Sequence, residues 1–290
     1  MSGFTVADVP DQAGRCILVT GANTGIGYEA AKALAGKSAR VLLACRDEAR
    51  ALAAMSGIRQ AVPNANLAFL PLDQADLASV RRAAEQASAE PRIDVLLNNA
   101  GAIFNRRQQT ADGFERTFAL NHLAYFALTN LLRNRLKATA PARVVNVASE
   151  AHRGTALAFD DLQTTRGYSG WLAYKRSKLC NILFNRALAR RLAGSGVTAN
   201  ALHPGFVATN FGDNNGGIFR VGLGIAKQFI AISPADGAKT PVYLASAPDV
   251  ANLSGLYFDK CAPRAPSAEA QDDEAAERLW HESARLTETG

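Results

Sequence analysis

The 290-residue chain has few cysteines, and its Cys16, Cys45, Cys180 and Cys261 lie far apart with no CxxC pair. That spacing excludes a zinc ribbon and a disulfide scaffold, and it suits a reducing compartment. Aromatic residues make up only 7% of the chain. Long apolar runs are missing as well. The nearest candidate, residues 120–132, is broken by Asn121, His122, Thr129 and Asn130, so no membrane span is expected. Residues 1–14 carry Asp8 and Asp11 but no Lys or Arg and no apolar core, unlike a secretory signal. A cytoplasmic protein is expected. The net charge is +6, yet its densest basic groups are pairs (Arg81-Arg82, Arg106-Arg107, Arg190-Arg191), with no aromatic residues interleaved. Nucleic acid is therefore not the expected partner. An anionic small molecule accounts for part of the excess.

Short apolar runs alternate with helical patterns along the whole chain. RCILVT at 15–20, RVLLA at 40–44, LAFLPLD at 67–73, DVLL at 94–97, RVVNV at 143–147, VTANAL at 197–202 and GLYF at 255–258 read as strands. Residues 28–36 and 47–62 read as the first two helices. Strands this apolar are usually buried on both faces, as in a parallel sheet covered by helices. The expected fold is α/β, a Rossmann-type doubly wound, mainly parallel sheet with helices on both faces. No linker splits the chain, so residues 1–290 are expected to form one domain. Residues 206–232 interrupt the rhythm with Gly212, Gly216, Gly217, Gly222 and Gly224 among Phe206, Phe211, Phe219 and Phe229. They read as a flap covering a substrate pocket, with a surface loop as the alternative. The tail from 261 to 290 ends in an amphipathic helix carrying Leu279, Trp280 and Leu286, expected to pack.

Between the first strand and first helix stands Thr20-Gly21-Ala22-Asn23-Thr24-Gly25-Ile26-Gly27. Glycines at 21, 25 and 27 permit a sharp turn and a close approach to a pyrophosphate, which the following helix N-terminus stabilises with free N–H groups. In this strand–turn–helix context the pattern points to dinucleotide binding. The second strand ends Ala44-Cys45-Arg46-Asp47. An acidic residue at that strand end would favour NAD(H). Arg46 can instead make a charge-assisted contact to a 2′-phosphate, and Asp47 can cap the next helix. NADP(H) is the favoured cofactor, and Arg46 as a plain surface charge leaves NAD(H) open.

Tyr174 and Lys178 are four residues apart on an expected helix, hence on one face. A phenol with a pKa near 10 is a poor acid–base group at neutral pH, and a neighbouring ammonium shifts it toward the working range. A surface Tyr–Lys pair is the plainer alternative. Ser149 follows the fifth strand at the carboxyl edge of the sheet, where it could hold a carbonyl or alcohol oxygen or simply cap a turn.

With these residues the chain resembles the short-chain dehydrogenase/reductases, and within them the retinol dehydrogenase-like branch. Thr20–Gly27 resembles the family's TGxxxGxG turn, Asn98-Asn99-Ala100-Gly101 its NNAG segment, and Pro204-Gly205-Phe206-Val207-Ala208-Thr209 its PGxVxT segment. Asn121, Ser149, Tyr174 and Lys178 fall where its Asn-Ser-Tyr-Lys tetrad would. Ala44–Asp47, Asn121-His122-Leu123, Ser177-Lys178-Leu179 and Arg278-Leu279-Trp280 resemble the retinol dehydrogenase branch.

The resemblance implies an oxidoreductase that interconverts a carbonyl and an alcohol by hydride transfer, on an apolar or aromatic small molecule given the phenylalanines of the flap. It makes Tyr174 the acid/base and lets Ser149 hydrogen-bond the substrate oxygen. Lys178 would lower the Tyr174 pKa and bind the nicotinamide ribose, and Asn121 would bend its helix and hold a relay water. Gly21, Asn23, Thr24, Gly25, Ile26, Gly27, Arg46, Asn99, Ala100, Gly101, Pro204 and Gly205 would line the cofactor. Asp73 would accept from the adenine amino group, with a helix cap before Leu77 as its alternative, and Val207 and Thr209 would meet the carboxamide. No metal is implied. Family members assemble through helices that here span about 114–136 and 170–192, which leaves homodimer, homotetramer and monomer open. Two other readings stand beside this one. The first is a non-catalytic NADP(H)-binding sensor or scaffold, and the second a C=C reductase similar to protochlorophyllide reductase. The second shares Ala44-Cys45-Arg46 and Tyr174–Asn181, but that family carries Cys where this chain keeps Asn98. His152 could touch substrate or be a polar loop residue, and His122 and His203 are expected to pack. Trp171 and Phe206 are expected in the pocket wall or the core, and Cys180 as an inert buried thiol.

Overall fold

The computed structural model describes residues 3–206 and 232–290. Val207, Thr209 and nearly all of the expected flap lie outside the described residues. The strands are β1 (Cys16–Thr20), β2 (Arg40–Cys45), β3 (Asn66–Pro71), β4 (Val95–Asn98), β5 (Ala142–Val147), β6 (Val197–His203), β7 (Tyr257–Asp259) and the two-residue β8 (Ala262–Pro263). They form one eight-stranded sheet in the order β3-β2-β1-β4-β5-β6-β7-β8. Every neighbouring pair is parallel except β7 with β8. Each expected strand is present to within about two residues. β8 has no sequence signal, because a two-residue strand shows no period.

Seven helices of eleven residues or more cover the sheet among the described residues. They are α1 (Gly25–Ala35), α2 (Glu48–Ala61), α3 (Leu77–Ser88), α4 (Ala124–Ala138), α5 (Gly170–Arg191), α6 (Pro234–Ser246) and α7 (Asp273–Thr287). All five residues of β1 are buried, as a strand covered on both faces requires. One apolar core lies under α3, α4, α5 and α7 and contains Leu18, Leu96, Phe126, Phe184 and Trp280. The other lies under α1, α2 and α6, with Ile17, Val19, Leu43, Leu97 and Phe258.

The chain order reverses between β1 and β4, so the crevice at their carboxyl ends is where this architecture receives ligands. Because all but one pair run parallel, the ends of β1, β2, β4, β5 and β6 share that edge.

The tail forms the expected helix and also covers part of the surface. Trp280 of α7 sits edge-on to Phe126 of α4 with ring centroids 4.8 Å apart, and stacks on Phe184 of α5 at 5.9 Å. His122 Nε2 reaches Ser283 Oγ of α7 at 2.8 Å. Arg186 and Arg190 of α5 grip Asp273, and Arg190 and Arg191 grip Glu277. The faces of α4 and α5 turned toward α7 are therefore covered from within the chain.

Candidate active site

The glycine-rich turn holds its shape through contacts only glycine allows. Gly21 and Gly25 lie in the left-handed region, with φ of 67° and 59°. A Cβ on Gly27 would stand 2.4 Å from the Gly21 carbonyl oxygen and 2.6 Å from Asn99 Nδ2. The turn's neighbour is the segment after β4. Thr20 Oγ1 accepts from the N–H groups of Asn99 (2.9 Å) and Ala100 (3.0 Å), and Asn99 Nδ2 donates to the Thr20 carbonyl (2.8 Å). α1 begins at Gly25 after Thr24, whose side chain makes no capping bond. The helix start thus keeps N–H groups and positive dipole for an anion. Asn23, Thr24 and Ile26 are not fully buried, so this cradle opens to solvent.

At the end of β2, Arg46 is 63% exposed and its guanidinium lies 4.0 Å from an Asp73 carboxylate oxygen. Asp47 does cap α2, accepting from the Arg50 N–H at 3.0 Å. It is thereby engaged where an acid could otherwise meet a ribose. Asp73 does not cap α3. Asp76 does, accepting from Ala78 N–H, while Asp73 accepts from Ala75 N–H in its own turn.

Across the crevice, β5 delivers Ser149 and α5 delivers Tyr174 and Lys178. The Tyr174 ring is 8% exposed. Burial pushes its phenol up to about 12, and a hydrogen bond with Ser149 opposes that rise. Lys178 is 2% exposed, and burial alone pushes its ammonium down to about 7. Its Nζ donates to the Val147 carbonyl at 3.0 Å and stands 5.7 Å from the Tyr174 ring centroid. The phenol pKa thus lies above its ordinary value, not below it. Desolvation outweighs the hydrogen bond with Ser149, while the Lys178 ammonium donates to a backbone carbonyl.

Asn121 lies in a π-helical turn, Ala119–Leu123, inserted ahead of α4. Its Oδ1 accepts from Ala102 N–H (2.8 Å), and its Nδ2 donates to the Ala102 carbonyl (2.9 Å) and Ser177 Oγ (2.9 Å). Gly101 lets the chain pass this point, since a Cβ there would come 3.3 Å from Lys178 Nζ and 3.4 Å from Asn121 Oδ1. Four side chains from three separate stretches thus converge on one crevice. Pro204 and Gly205 follow β6 at the same edge. Gly205 has a φ of 91°, and a Cβ there would sit 2.6 Å from Ile232 Cδ1. Trp171, 53% exposed, stacks on Tyr174 at 5.8 Å, and Phe206 and Ile232 are also exposed.

Several further residues support the site. Tyr125 OH donates to the Ala100 carbonyl at 2.8 Å, and its ring lies 5.9 Å from Lys178 Nζ. Asn98 donates to Thr129 and Asn146, and Asn146 donates to Asn185, a buried amide ladder across β4, β5 and α5. Thr20 stands within the glycine motif, and a hydroxyl at a strand end facing two later N–H groups was the available clue. His122 and His203 are packed, as expected. His122 is fully buried, and desolvation holds its pKa down at about 3. His203 Nδ1 accepts from Glu150 N–H at 3.2 Å.

A glycine cradle at a helix start, facing a buried Tyr–Lys pair across the switch point of a parallel sheet, defines an NAD(P)-dependent oxidoreductase acting on CH–OH or C=O groups. The short chain dehydrogenase family matches residues 15–216, and the chain belongs to that family. Within it the chain is retinol dehydrogenase-like. It is 45% identical to human retinol dehydrogenase 13 over 279 residues, spanning 94% of this chain and 84% of the relative. An uncharacterized protein from Mycobacterium paratuberculosis has the same fold, with a TM-score of 0.82 at 36% identity over 99% of this chain and 98% of that one. A protein from Beutenbergia cavernae, solved with NADP bound at low occupancy, aligns with a TM-score of 0.69 at 28% identity, covering 86% of this chain and 96% of that one.

Buried Lys178 makes a testable contribution to stability. Its folded pKa, about 7, lies below the ordinary lysine value of 10.5, so unfolding takes up a proton between those pH values. Stability attributable to this group therefore falls as pH drops from about 10.5 to about 7, by up to about 5 kcal/mol, and is flat below. In Lys178→Met the Val147 carbonyl keeps its bond from Asn181 Nδ2, at 3.2 Å. Urea unfolding of the cofactor-free protein at pH 7 should find the variant more stable by about 2–4 kcal/mol, with the gain fading toward pH 10. A gain that does not change with pH would contradict a depressed lysine pKa.

Proposed function

We propose that the chain is an NADP(H)-dependent carbonyl reductase/alcohol dehydrogenase for apolar or aromatic small molecules, with Tyr174 as the acid/base. The observation that carries this reading is the buried Tyr174 phenol, hydrogen-bonded with Ser149 and backed by the Lys178 ammonium. A sensor would have no use for a phenol and an ammonium buried together at the cost of their solvation.

The cofactor's residues fit the group. Gly21 and Gly25, with positive φ, and Gly27, packed on the Gly21 carbonyl, shape a tight turn at the α1 N-terminus where a pyrophosphate would be held, flanked by Asn23, Thr24 and Ile26. Asn99, Ala100, Gly101, Pro204 and Gly205 would line the nicotinamide half, with Val207 and Thr209 assigned there from the sequence. Asp73 would take the adenine amino group. When bound, the nicotinamide supplies or accepts the hydride. Ser149 hydrogen-bonds the substrate oxygen and stabilises the charge that develops there. Tyr174, a neutral phenol at pH 7, donates its proton to that oxygen in reduction and must be deprotonated to take one in oxidation. Lys178, charged on the acid side of about pH 7, would favour the phenolate and hydrogen-bond the ribose. Asn121 holds the turn that keeps Lys178 in reach and would support a water between it and solvent. Trp171, stacked on Tyr174, would supply apolar surface for the substrate, and Phe206, exposed after β6, would add to it.

The test is oxidation of NADPH and NADH by the purified protein against aldehydes, ketones and quinones of graded hydrophobicity. The expected result is turnover with the apolar carbonyls and stoichiometric alcohol. Tight NADPH binding with no turnover across the panel would support the sensor instead. Arg46 accounts for the choice of NADP(H). Arg46→Ala should weaken NADPH binding at least about tenfold, the loss of one charge-assisted contact, and leave NADH within about twofold. Equal losses for both cofactors, measured by fluorescence titration, would remove Arg46 from 2′-phosphate recognition.

A further inference from the structure

His152 was expected either against substrate or as a polar loop residue, and it is neither: its ring is completely buried. It sits in the single turn Glu150–His152 that immediately follows Ser149. The ring bridges two distant stretches of chain. Nδ1 lies 2.6 Å from the Ser149 carbonyl oxygen, and Nε2 lies 3.0 Å from the backbone N–H of Ser267. An N–H can only donate, so Nε2 carries the lone pair and Nδ1 carries the proton, which it gives to Ser149 O. One tautomer satisfies both bonds. Protonation would set two donors face to face at Ser267, and burial also pulls the His152 pKa down.

The neighbours lock the same turn from other directions. Ser149 Oγ accepts from Ala151 N–H at 3.2 Å, and Glu150 N–H donates to His203 Nδ1 on β6. Tyr257 of β7 places its ring edge-to-face with His152 at 5.2 Å and its hydroxyl on Glu150 at 3.3 Å. Arg153 reaches the Ala265 carbonyl at 2.9 Å. The backbone that aims the Ser149 hydroxyl is thus tied to residues 265–267, and the tie runs through a ring with fixed polarity.

We propose that His152 is a positioning residue for Ser149, a neutral Nδ1–H imidazole through which the segment before α7 sets the orientation of the serine hydroxyl toward the substrate oxygen. The role rests on Ser149 acting on that oxygen. Its test is a double-mutant cycle, because a residue that acts only through Ser149 has nothing left to act on once the hydroxyl is gone. In the wild-type background His152→Phe, which keeps the ring and removes both bonds, should lower kcat by about tenfold or more and leave the NADPH Kd within about twofold. His152→Asn, which restores an N–H toward Ser149 O, should recover most of the loss. In the Ser149→Ala background, His152→Phe should change kcat by less than about twofold.

Equal fold-losses in the two backgrounds, or an unchanged kcat in His152→Phe, would overturn the positioning role while leaving Ser149 in place. Full activity of Ser149→Ala alone would overturn the reading of Ser149, and His152's role with it. If the phenylalanine variant fails to bind NADPH, the cycle is run with His152→Gln, which keeps the reach toward Ser267 and loses the donor to Ser149. The same two patterns then decide.

Discussion

Tyr174→Phe should abolish turnover and leave the dinucleotide bound. The substitution removes one oxygen from a ring that is 8% exposed and keeps the stack on Trp171, so packing changes little. What disappears, on the proposed mechanism, is the group among the described residues that would hand a proton to a developing alkoxide next to Ser149. General acid catalysis contributes about 10²–10⁴-fold, and the described residues offer no equivalent donor, so kcat should fall by about 10³-fold or more. NADPH affinity should stay within about threefold, because the cradle at Gly21–Gly27 lies on the other side of the crevice. Steady-state kinetics with a parallel fluorescence titration checks both halves. Near-native turnover in the variant would remove Tyr174 from the chemistry.

Gly27→Ala should act in the opposite sense, damaging cofactor binding first. The new methyl would meet the Gly21 carbonyl oxygen at 2.4 Å and Asn99 Nδ2 at 2.6 Å. Neither neighbour yields easily. The Gly21 carbonyl belongs to a backbone turn with φ fixed at 67°, and Asn99 Nδ2 is committed to the Thr20 carbonyl. Overpacking of this kind costs about 1–3 kcal/mol, and relief requires the turn to open. If the turn is the phosphate cradle, as proposed, the NADPH Kd should rise about 50-fold or more together with a lower Tm. Calorimetric titration and thermal unfolding of the variant provide the check. Wild-type affinity with an alanine in place would mean that the turn does not hold the pyrophosphate.

The sequence carried the parts of this molecule whose signals are local. The β1 strand, the glycine turn and the start of α1 are contiguous, and each residue there has a backbone reason to be what it is. The Tyr174–Lys178 pair was legible because four residues on a helix make one face. Asp47 as a helix cap was legible for the same kind of reason. What stayed hidden depends on contacts between distant residues. His152 and Ser267 are 115 residues apart, and the histidine's burial cannot be read from its polar neighbours Glu150 and Arg153. Tyr125 sits 25 residues from the Ala100 carbonyl it satisfies, within an apolar stretch where a tyrosine looks like any other core ring. Asp73 looked like a candidate cap because Leu77 begins a helix, but Asp76, immediately before Leu77, takes that position. The direction of the Tyr174 pKa was the least legible of all. Sequence puts an ammonium beside a phenol, whereas the fold buries both and turns the ammonium toward a carbonyl.

The most direct measurement follows the label from NADPH deuterated at C4 of the nicotinamide, with an apolar aldehyde or ketone as acceptor. The account predicts one deuterium on the carbinol carbon of the product alcohol and a solvent-derived proton on its oxygen, with neither formed by Tyr174→Phe. Deuterium on a carbon that began as part of a C=C bond, or bound NADPH that keeps its label while no product forms, would contradict it.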